Sequence, residues 1–350
     1  MHTIASQPVH PLAHQDAENL DPRDWEELRR LGHRMVDEAL GFLGSVRERP
    51  AWRPTPDELR ARFDAPVPRA GEGPEGAYQA FLADVRPWPL GNVHPRFWGW
   101  VCGTGTPMTA LAGLLAGSAN TSVAGFDCAA TLVEEQTVRW LRELLGFGPG
   151  FGLLVSGGSV ANLTGLAVAR RVQAEHDVLE DGVAGAPRPP VVYASADAHG
   201  SVRRALEVLG LGRSALRTIE VDGARRIQVG ALERAIQADR DAGRHPEIVV
   251  GNAGTVATGA VDDLEALADL CCHEKLWLHV DGCIGAPAWL CAEGRPLLKG
   301  LQRADSLSVD LHKWLYMPFS AGCALQALEQ RPPFGAQPGR RADAAVDVQP

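Results

Sequence analysis

The chain has 350 residues, 45% of them hydrophobic and 22% charged, with a formal net charge of -9, the balance of a soluble globular protein long enough for a large core and more than one structural unit. The acidic excess leaves no basic footprint for nucleic acid, and no apolar run reaches the roughly 20 residues that cross a bilayer, so neither nucleic acid nor membrane is an expected partner. No basic-then-apolar segment opens the chain, which points to the cytoplasm, and seven cysteines without a paired C-x-x-C spacing argue against a disulfide framework and against a metal site.

Residues 1–20 are polar and unpatterned and read as a flexible leader. Asp21-Pro22 then offers an N-cap and a first-turn proline. Trp25, Leu28, Leu31, Met35, Val36, Ala39, Leu40 and Leu43 recur at helical spacing and predict one amphipathic helix. Its apolar stripe finds no helical neighbour close by in sequence, because prolines and glycines break residues 50–74 around a short polar helix near 56–62. Residues 21–95 are therefore expected to form a helical arm that packs on a main domain or on a second subunit.

From Phe151 short apolar runs alternate with helical patterns. Strands are predicted at 153–155, 191–194, 216–221, 248–251, 276–280, 306–309 and 323–326, and helices near 133–146, 160–173, 201–209, 229–242 and 262–273. The alternation predicts an α/β fold, a mainly parallel sheet with helices on both faces, in a main domain over 96–330. Residues 331–350 are rich in Pro, Gly, Arg and Ala without apolar period and read as a disordered tail.

Ligands of such sheets bind beyond the carboxyl ends of the strands, and the chemistry-bearing motifs fall there. Ser156-Gly157-Gly158-Ser159-Val160-Ala161-Asn162 follows a strand and opens a helix, which suits an anion such as phosphate, although a glycine-serine turn is as often only a turn. His199 follows the strand 191–194 and either stacks on a flat ligand or simply caps the next helix. Asp281 ends the most apolar strand, where a carboxylate needs a partner. A protonated ring nitrogen, a core arginine or an N-cap role would each serve. Lys313 is one of only three lysines, with Lys275 and Lys299, in a chain that has 34 Lys plus Arg. Lysine, unlike arginine, can lose its proton and attack a carbonyl; a surface cation is the plain alternative. Together a phosphate turn, a stacking histidine, a strand-end aspartate and a lysine match the phosphate, ring face, ring nitrogen and aldehyde of pyridoxal 5'-phosphate.

The same residues resemble the motifs of the pyridoxal-phosphate-dependent group II amino-acid decarboxylases. Asp310-Leu311-His312-Lys313-Trp314 is similar to the family's Asn/Asp-Pro-His-Lys-Trp box, Leu278-His279-Val280-Asp281 to its His-Val-Asp box, and Ala198-His199-Gly200-Ser201 to its Ala-His-x-Ser box. Gly254-Thr255 with Ala260-Val261-Asp262-Asp263 resembles the strand and loop between them, and Leu132-Val133-Glu134-Glu135 a helix start. His94-Pro95-Arg96-Phe97-Trp98-Gly99-Trp100 is similar to a His-Pro-x-Phe segment on the family's substrate side.

The resemblance implies the fold type I of pyridoxal-phosphate-dependent transferases (aspartate-aminotransferase-like), a homodimer that buries the N-terminal arm, and decarboxylation of an L-amino acid, an aromatic one. It implies that Lys313 is the Schiff-base lysine, that Asp281 keeps the ring nitrogen protonated, and that His199 stacks on the ring and orients the substrate carboxylate. Gly158, Ser159, Thr255 and His312 would hold the phosphate end, and His94, Pro95, Trp98 and Trp100 the substrate side.

There are departures from the family pattern. Leu311 replaces a proline, Gly282-Cys283-Ile284-Gly285 replaces Ala-Ala-Tyr-Gly, and Trp100 stands where animal relatives carry tyrosine. The family continues through a mobile loop bearing a tyrosine and a small C-terminal domain, whereas Tyr316 is the last tyrosine here. The small domain is expected to be largely missing, by natural truncation, frameshift or decay. A cofactor-binding relative impaired in catalysis, or another fold-type-I enzyme, are the alternative readings.

Overall fold

The structure, a computed structural model, describes residues 21–123 and 127–327; the expected leader 1–20 and tail 331–350 lie outside the described residues. Contacts divide the chain into two units between Gly91 and Asn92, ahead of the boundary expected at 95/96. In the first, α1 (Trp25–Gly44), α2 (Asp57–Phe63) and α3 (Gly73–Ala80) are joined by proline-rich connections. The cap of α1 is Asp24 and not Asp21: its carboxylate accepts from the N–H groups of Glu26 and Glu27, at 2.8 and 3.1 Å, so the helix begins at Trp25 and not at Pro22. Among the described residues of this unit, Leu31, Leu59 and Tyr78 are the buried hydrophobic side chains.

The second unit begins with α4 (Pro107–Ala119) and α5 (Ala129–Leu144). It continues through β1 (Gly150–Val155), α6 (Gly158–Gln173), the single turn α7 (Val178–Asp181), β2 (Pro190–Ser195), α8 (Gly200–Val208) and β3 (Leu216–Ile219). Then follow α9 (Val229–Asp241), β4 (His245–Asn252), α10 (Leu264–Glu274), β5 (Trp277–Asp281), β6 (Ser306–Asp310) and β7 (Gly322–Ala327). The predicted strands are all present. Helices α3 and α4 are not predicted from periodicity, because α3 is a short run with two glycines and a proline, and α4 (PMTALAGLLAGSA) has no polar face to create a period.

The seven strands run in the order β1-β7-β6-β5-β4-β2-β3. β7 is antiparallel to both neighbours, and β6, β5, β4, β2 and β3 pair in parallel. Because β1 and β6 are both antiparallel to β7, β1 points the same way as the parallel strands. The carboxyl ends of β1, β2, β4, β5 and β6 therefore share one edge.

Residues of alternate parity face opposite sides of the sheet. Val192, Ala194, Ile248, Val250 and Trp277 pack with α6 and α8 through Leu166, Ala169, Val202 and Leu206. Val191, Tyr193, Val249, Leu278 and Val280 belong to the other core, with α9 and α10. Burial on both faces explains why β2, β4 and β5 are near-continuous apolar runs. Among the described residues no helix is long and apolar enough to cross a membrane, and no cluster of His, Cys, Asp and Glu could hold a metal ion.

Candidate active site

Along the β4-β5-β6 edge, pairing sets Asn252 opposite Asp281 and Asp281 opposite Ser308, and one side-chain repeat earlier His279 opposite Ser306. Strand periodicity thus puts Asp281, His279, Ser306 and Ser308 on the face that α6 covers. Helix α6 comes close enough there to demand glycine: a Cβ on Gly165 would lie 2.6 Å from the His279 ring, and one on Gly158 would lie 2.4 Å from Cys283 Sγ.

A cavity of about 340 Å³ opens above this edge, and Gly158, Ser159, His199, Thr255, Asp281, His312 and Lys313 all line it. Lys313 stands in the turn after β6 with its Nζ 2.8 Å from Asp310 Oδ2. The second oxygen of Asp310 accepts from the Gly158 N–H at 2.7 Å, so one carboxylate joins the lysine turn to the start of α6. Burial alone would lower the pKa of the Lys313 amine. The hydrogen bond and charge of Asp310, with Asp281 adding, outweigh burial, and the amine stands above its ordinary 10.5. His312 is buried, with Nε2 3.4 Å from Asp310 Oδ1 and Nδ1 accepting from the Ala321 N–H at 3.2 Å.

His199 is both a cap and a cavity residue, so the two readings open at the level of sequence are compatible. Its Nδ1 accepts from the Ser201 N–H at 3.3 Å as the N-cap of α8 and lies 2.8 Å from Ser201 Oγ. Thr255 is buried, with its hydroxyl 2.9 Å from that of Thr258. Asp281 accepts from Asn162 Nδ2 at 2.9 Å and from the Cys283 N–H at 3.2 Å. No arginine is among these partners, so its negative charge is hydrogen-bonded by neutral groups. Burial raises the Cys283 thiol well above its usual value, with Asp281 and Asp310 adding to the effect, so it stays a thiol.

The structure does not bring the proposed substrate-side residues to this cavity. His94 is buried with Nδ1 accepting from the Arg96 N–H at 3.0 Å. Trp98 and Trp100 are 93% and 83% exposed, Pro95 is exposed, and none of the four lines the cavity. Conversely, Asn162, Asn252 and Asp310 line the cavity without having been assigned a role from sequence. A signal for Asn162 does exist: it is the last residue of the glycine-serine motif, four positions after Gly158, on a helix face otherwise built from Ala161, Gly165, Leu166 and Ala169. Asp310 opens the lysine motif itself.

The donor set fits pyridoxal 5'-phosphate. A half-buried amine can reach a carbonyl, a strand-end carboxylate hydrogen-bonded only by neutral groups can face a protonated ring nitrogen, and a 16-residue helix turns the positive end of its dipole toward an anion.

The pyridoxal-dependent decarboxylase conserved domain matches residues 84–328. Aromatic-L-amino-acid decarboxylase of Bacillus atrophaeus is 39% identical over 304 residues, covering 86% of this chain and 62% of the relative. Human cysteine sulfinic acid decarboxylase is 34% identical over 304 residues, covering 86% and 60%. Among solved structures, Oryza sativa TDC with PLP and tryptamine superposes with a TM-score of 0.79 at 26% identity, covering 90% of this chain and 68% of that one. Catharanthus roseus tryptophan decarboxylase in complex with L-tryptophan gives 0.78 at 26% identity, covering 88% and 67%. The chain thus spans between about half and three fifths of the length of the curated relatives it matches.

Proposed function

This chain belongs to the pyridoxal-dependent decarboxylase family, and from that membership we propose that it binds pyridoxal 5'-phosphate and removes the carboxyl group of an L-amino acid, one with an aromatic side chain. The observation that carries the reading is the meeting of Lys313, Asp281 and His199 around one cavity at the carboxyl ends of parallel strands. Lys313 is the covalent anchor, Asp281 the partner of the ring nitrogen and His199 the group against the ring. Gly158, Ser159, Thr255 and His312 hold the phosphate end. When bound, the cofactor supplies a sink for the electron pair left by the departing carbon dioxide.

The choice of an aromatic over an acidic substrate is supported by the cavity. Among the described residues its lining contains one lysine, already paired with Asp310, and no arginine, whereas a second carboxylate or a sulfinate would call for a forked cation. Val160, Val256 and Ile284 add apolar lining.

A homodimer belongs to the same reading. Helix α4 carries no charged residue and buries none of its side chains; Met108, Leu114 and Leu115 are 68%, 61% and 67% exposed. On α1, Trp25 and Met35 are 63% and 49% exposed. A second copy is the cover these apolar faces need, with residues 21–95 serving as its arm. A cytoplasmic location is supported by seven cysteines, none of which forms a disulfide among the described residues.

The test is to load the full chain with pyridoxal 5'-phosphate, reduce with borohydride and map peptides, then to follow carbon dioxide release from tryptophan, tyrosine, phenylalanine and glutamate. Label at Lys313, with release from an aromatic amino acid and not from glutamate, is the expected outcome. Label at Lys275 or Lys299, or on no lysine, overturns the cofactor assignment, and preference for glutamate overturns the substrate class.

A further inference from the structure

Asn162 sits at the centre of a buried hydrogen-bond network in which each proton can be assigned. Its side chain is 1% exposed and makes four hydrogen bonds, the full number open to an amide with two donors and two lone pairs. Nδ2 donates to Asp281 Oδ2 at 2.9 Å and to Ser201 Oγ at 3.0 Å. Oδ1 accepts from Ser308 Oγ at 2.7 Å and lies 2.8 Å from His279 Nε2.

The orientation of this amide is decided by Asp281. An ionised carboxylate can only accept, so the flipped amide would set two acceptors 2.9 Å apart in a buried site. With Nδ2 on Asp281, Ser201 Oγ must accept from Asn162, and the one proton of its hydroxyl is free for His199 Nδ1 at 2.8 Å. The Ser201 N–H reaches the same Nδ1 at 3.3 Å and requires an acceptor there too. On the other side, Asn162 Oδ1 takes the proton of His279 Nε2. Burial lowers His279 to a pKa of about 4, which keeps the ring neutral, so its Nδ1 accepts from Ser306 Oγ, 2.7 Å away. The Ser306 oxygen in turn accepts from Trp277 Nε1 at 2.8 Å. All the donors and acceptors of this chain agree with one another.

We propose that Asn162 is a positioning residue that ties the Asp281 carboxylate to His199 through Ser201 and fixes the neutral imidazole of His199 with its proton on Nε2. With Nδ1 engaged on α8, only Nε2 is left for a ligand, and there it is an N–H donor. His199 then offers a hydrogen bond to an oxygen such as a carboxylate and has no lone pair with which to act as a base. That consequence for a ligand rests on the function proposed above, whereas the tautomer and its cause do not.

The experiment uses the full chain without cofactor, labelled with ¹⁵N-histidine, and reads ring tautomers from long-range proton–nitrogen correlations near neutral pH. His199→Gln identifies the His199 signals among the 11 histidines. In the parent, His199 is expected to be predominantly the Nε2–H form.

Asn162→Asp keeps the shape but carries at most one proton where the amide carries two. Asp281 takes that proton, the Ser201 hydroxyl turns to the new carboxyl oxygen, and the Nδ1–H form of His199 should become at least equal to the other. Ser201→Ala, which leaves Asn162 and Asp281 joined and keeps the backbone N–H of residue 201 as the remaining donor to Nδ1, should raise the Nδ1–H population by less, and Ser201→Thr, which keeps a hydroxyl, should restore the parent pattern. A parent His199 protonated on Nδ1 overturns the proposal, as does an unchanged tautomer in a folded Asn162→Asp protein. Should Asn162→Asp not fold, an unchanged tautomer in Ser201→Ala overturns it. Failure of borohydride to label Lys313 would leave all of these results readable.

Discussion

Lys313 is an amine stored as a cation. At 2.8 Å the Asp310 carboxylate holds its proton, and the amine's pKa, raised overall from 10.5, keeps the nucleophilic form scarce at neutral pH. Removing the charge at Asp310 leaves burial as the dominant influence, and burial favours the neutral amine. A hydrogen bond to a charged group is worth roughly 1.5–3 kcal/mol, and about 1.4 kcal/mol is a factor of ten in the neutral fraction. Asp310→Asn, which can still accept the Gly158 N–H, should therefore load pyridoxal 5'-phosphate about tenfold faster or more at pH 7.5. Its loading rate should also level off at a lower pH than the parent's. Stopped-flow absorbance across pH 6–11 checks this, and coincident rate profiles would mean that Asp310 does not govern the protonation of Lys313.

At the scale of elements, α6 is the part on which the site depends, because it delivers Gly158 to Asp310, Asn162 to the polar row of β5 and β6, and Gly165 to the close approach over His279. Strand β4 presents the opposite case at its start, away from the cavity edge. Glu247 is 4% exposed and its Oε2 has no hydrogen-bond partner. Burial, with Glu175 adding, raises its pKa from 4.5 to about 8. Between those values the folded chain holds a proton that the unfolded chain has lost, so stability falls as pH rises from 4.5 and levels off above 8. The largest slope from this one group is about 1.4 kcal/mol per pH unit. Glu247→Gln cannot ionise. It should match the parent near pH 5 and exceed it by a few kcal/mol at pH 8 in denaturant unfolding, whereas parallel stability profiles would show that Glu247 is not held neutral.

For the whole molecule, the apolar surface of α4 is the feature with the largest consequence. A helix that is apolar all round belongs in an interior, yet this one buries no side chain among the described residues. Leu114→Glu with Leu115→Glu places two charges on it without touching the cavity lining. Sedimentation should show the parent as a dimer and the double variant as a monomer. A parent that is monomeric at micromolar concentration, or a double variant that remains dimeric, would remove α4 from the interface.

The sequence by itself determined the alternation of strands and helices in the second unit, because strands buried on both faces must be written as apolar runs and their crossover helices as amphipathic ones. It also determined the cavity residues that sit in compact motifs at strand ends: Gly158, Ser159, His199, Thr255, Asp281, His312 and Lys313 are brought together where the parallel strands end. Local pattern failed for α4, whose apolar residues have no polar face to set them off, and for the cap of α1, where Asp24 and not Asp21 reaches the free N–H groups. Only the tertiary structure decided the role of Asn162, 119 residues from Asp281 and 39 from Ser201 in the chain. A hydrogen bond between distant residues leaves no periodicity, since it depends on the register of β5 against β6 and on how closely a glycine allows α6 to approach them.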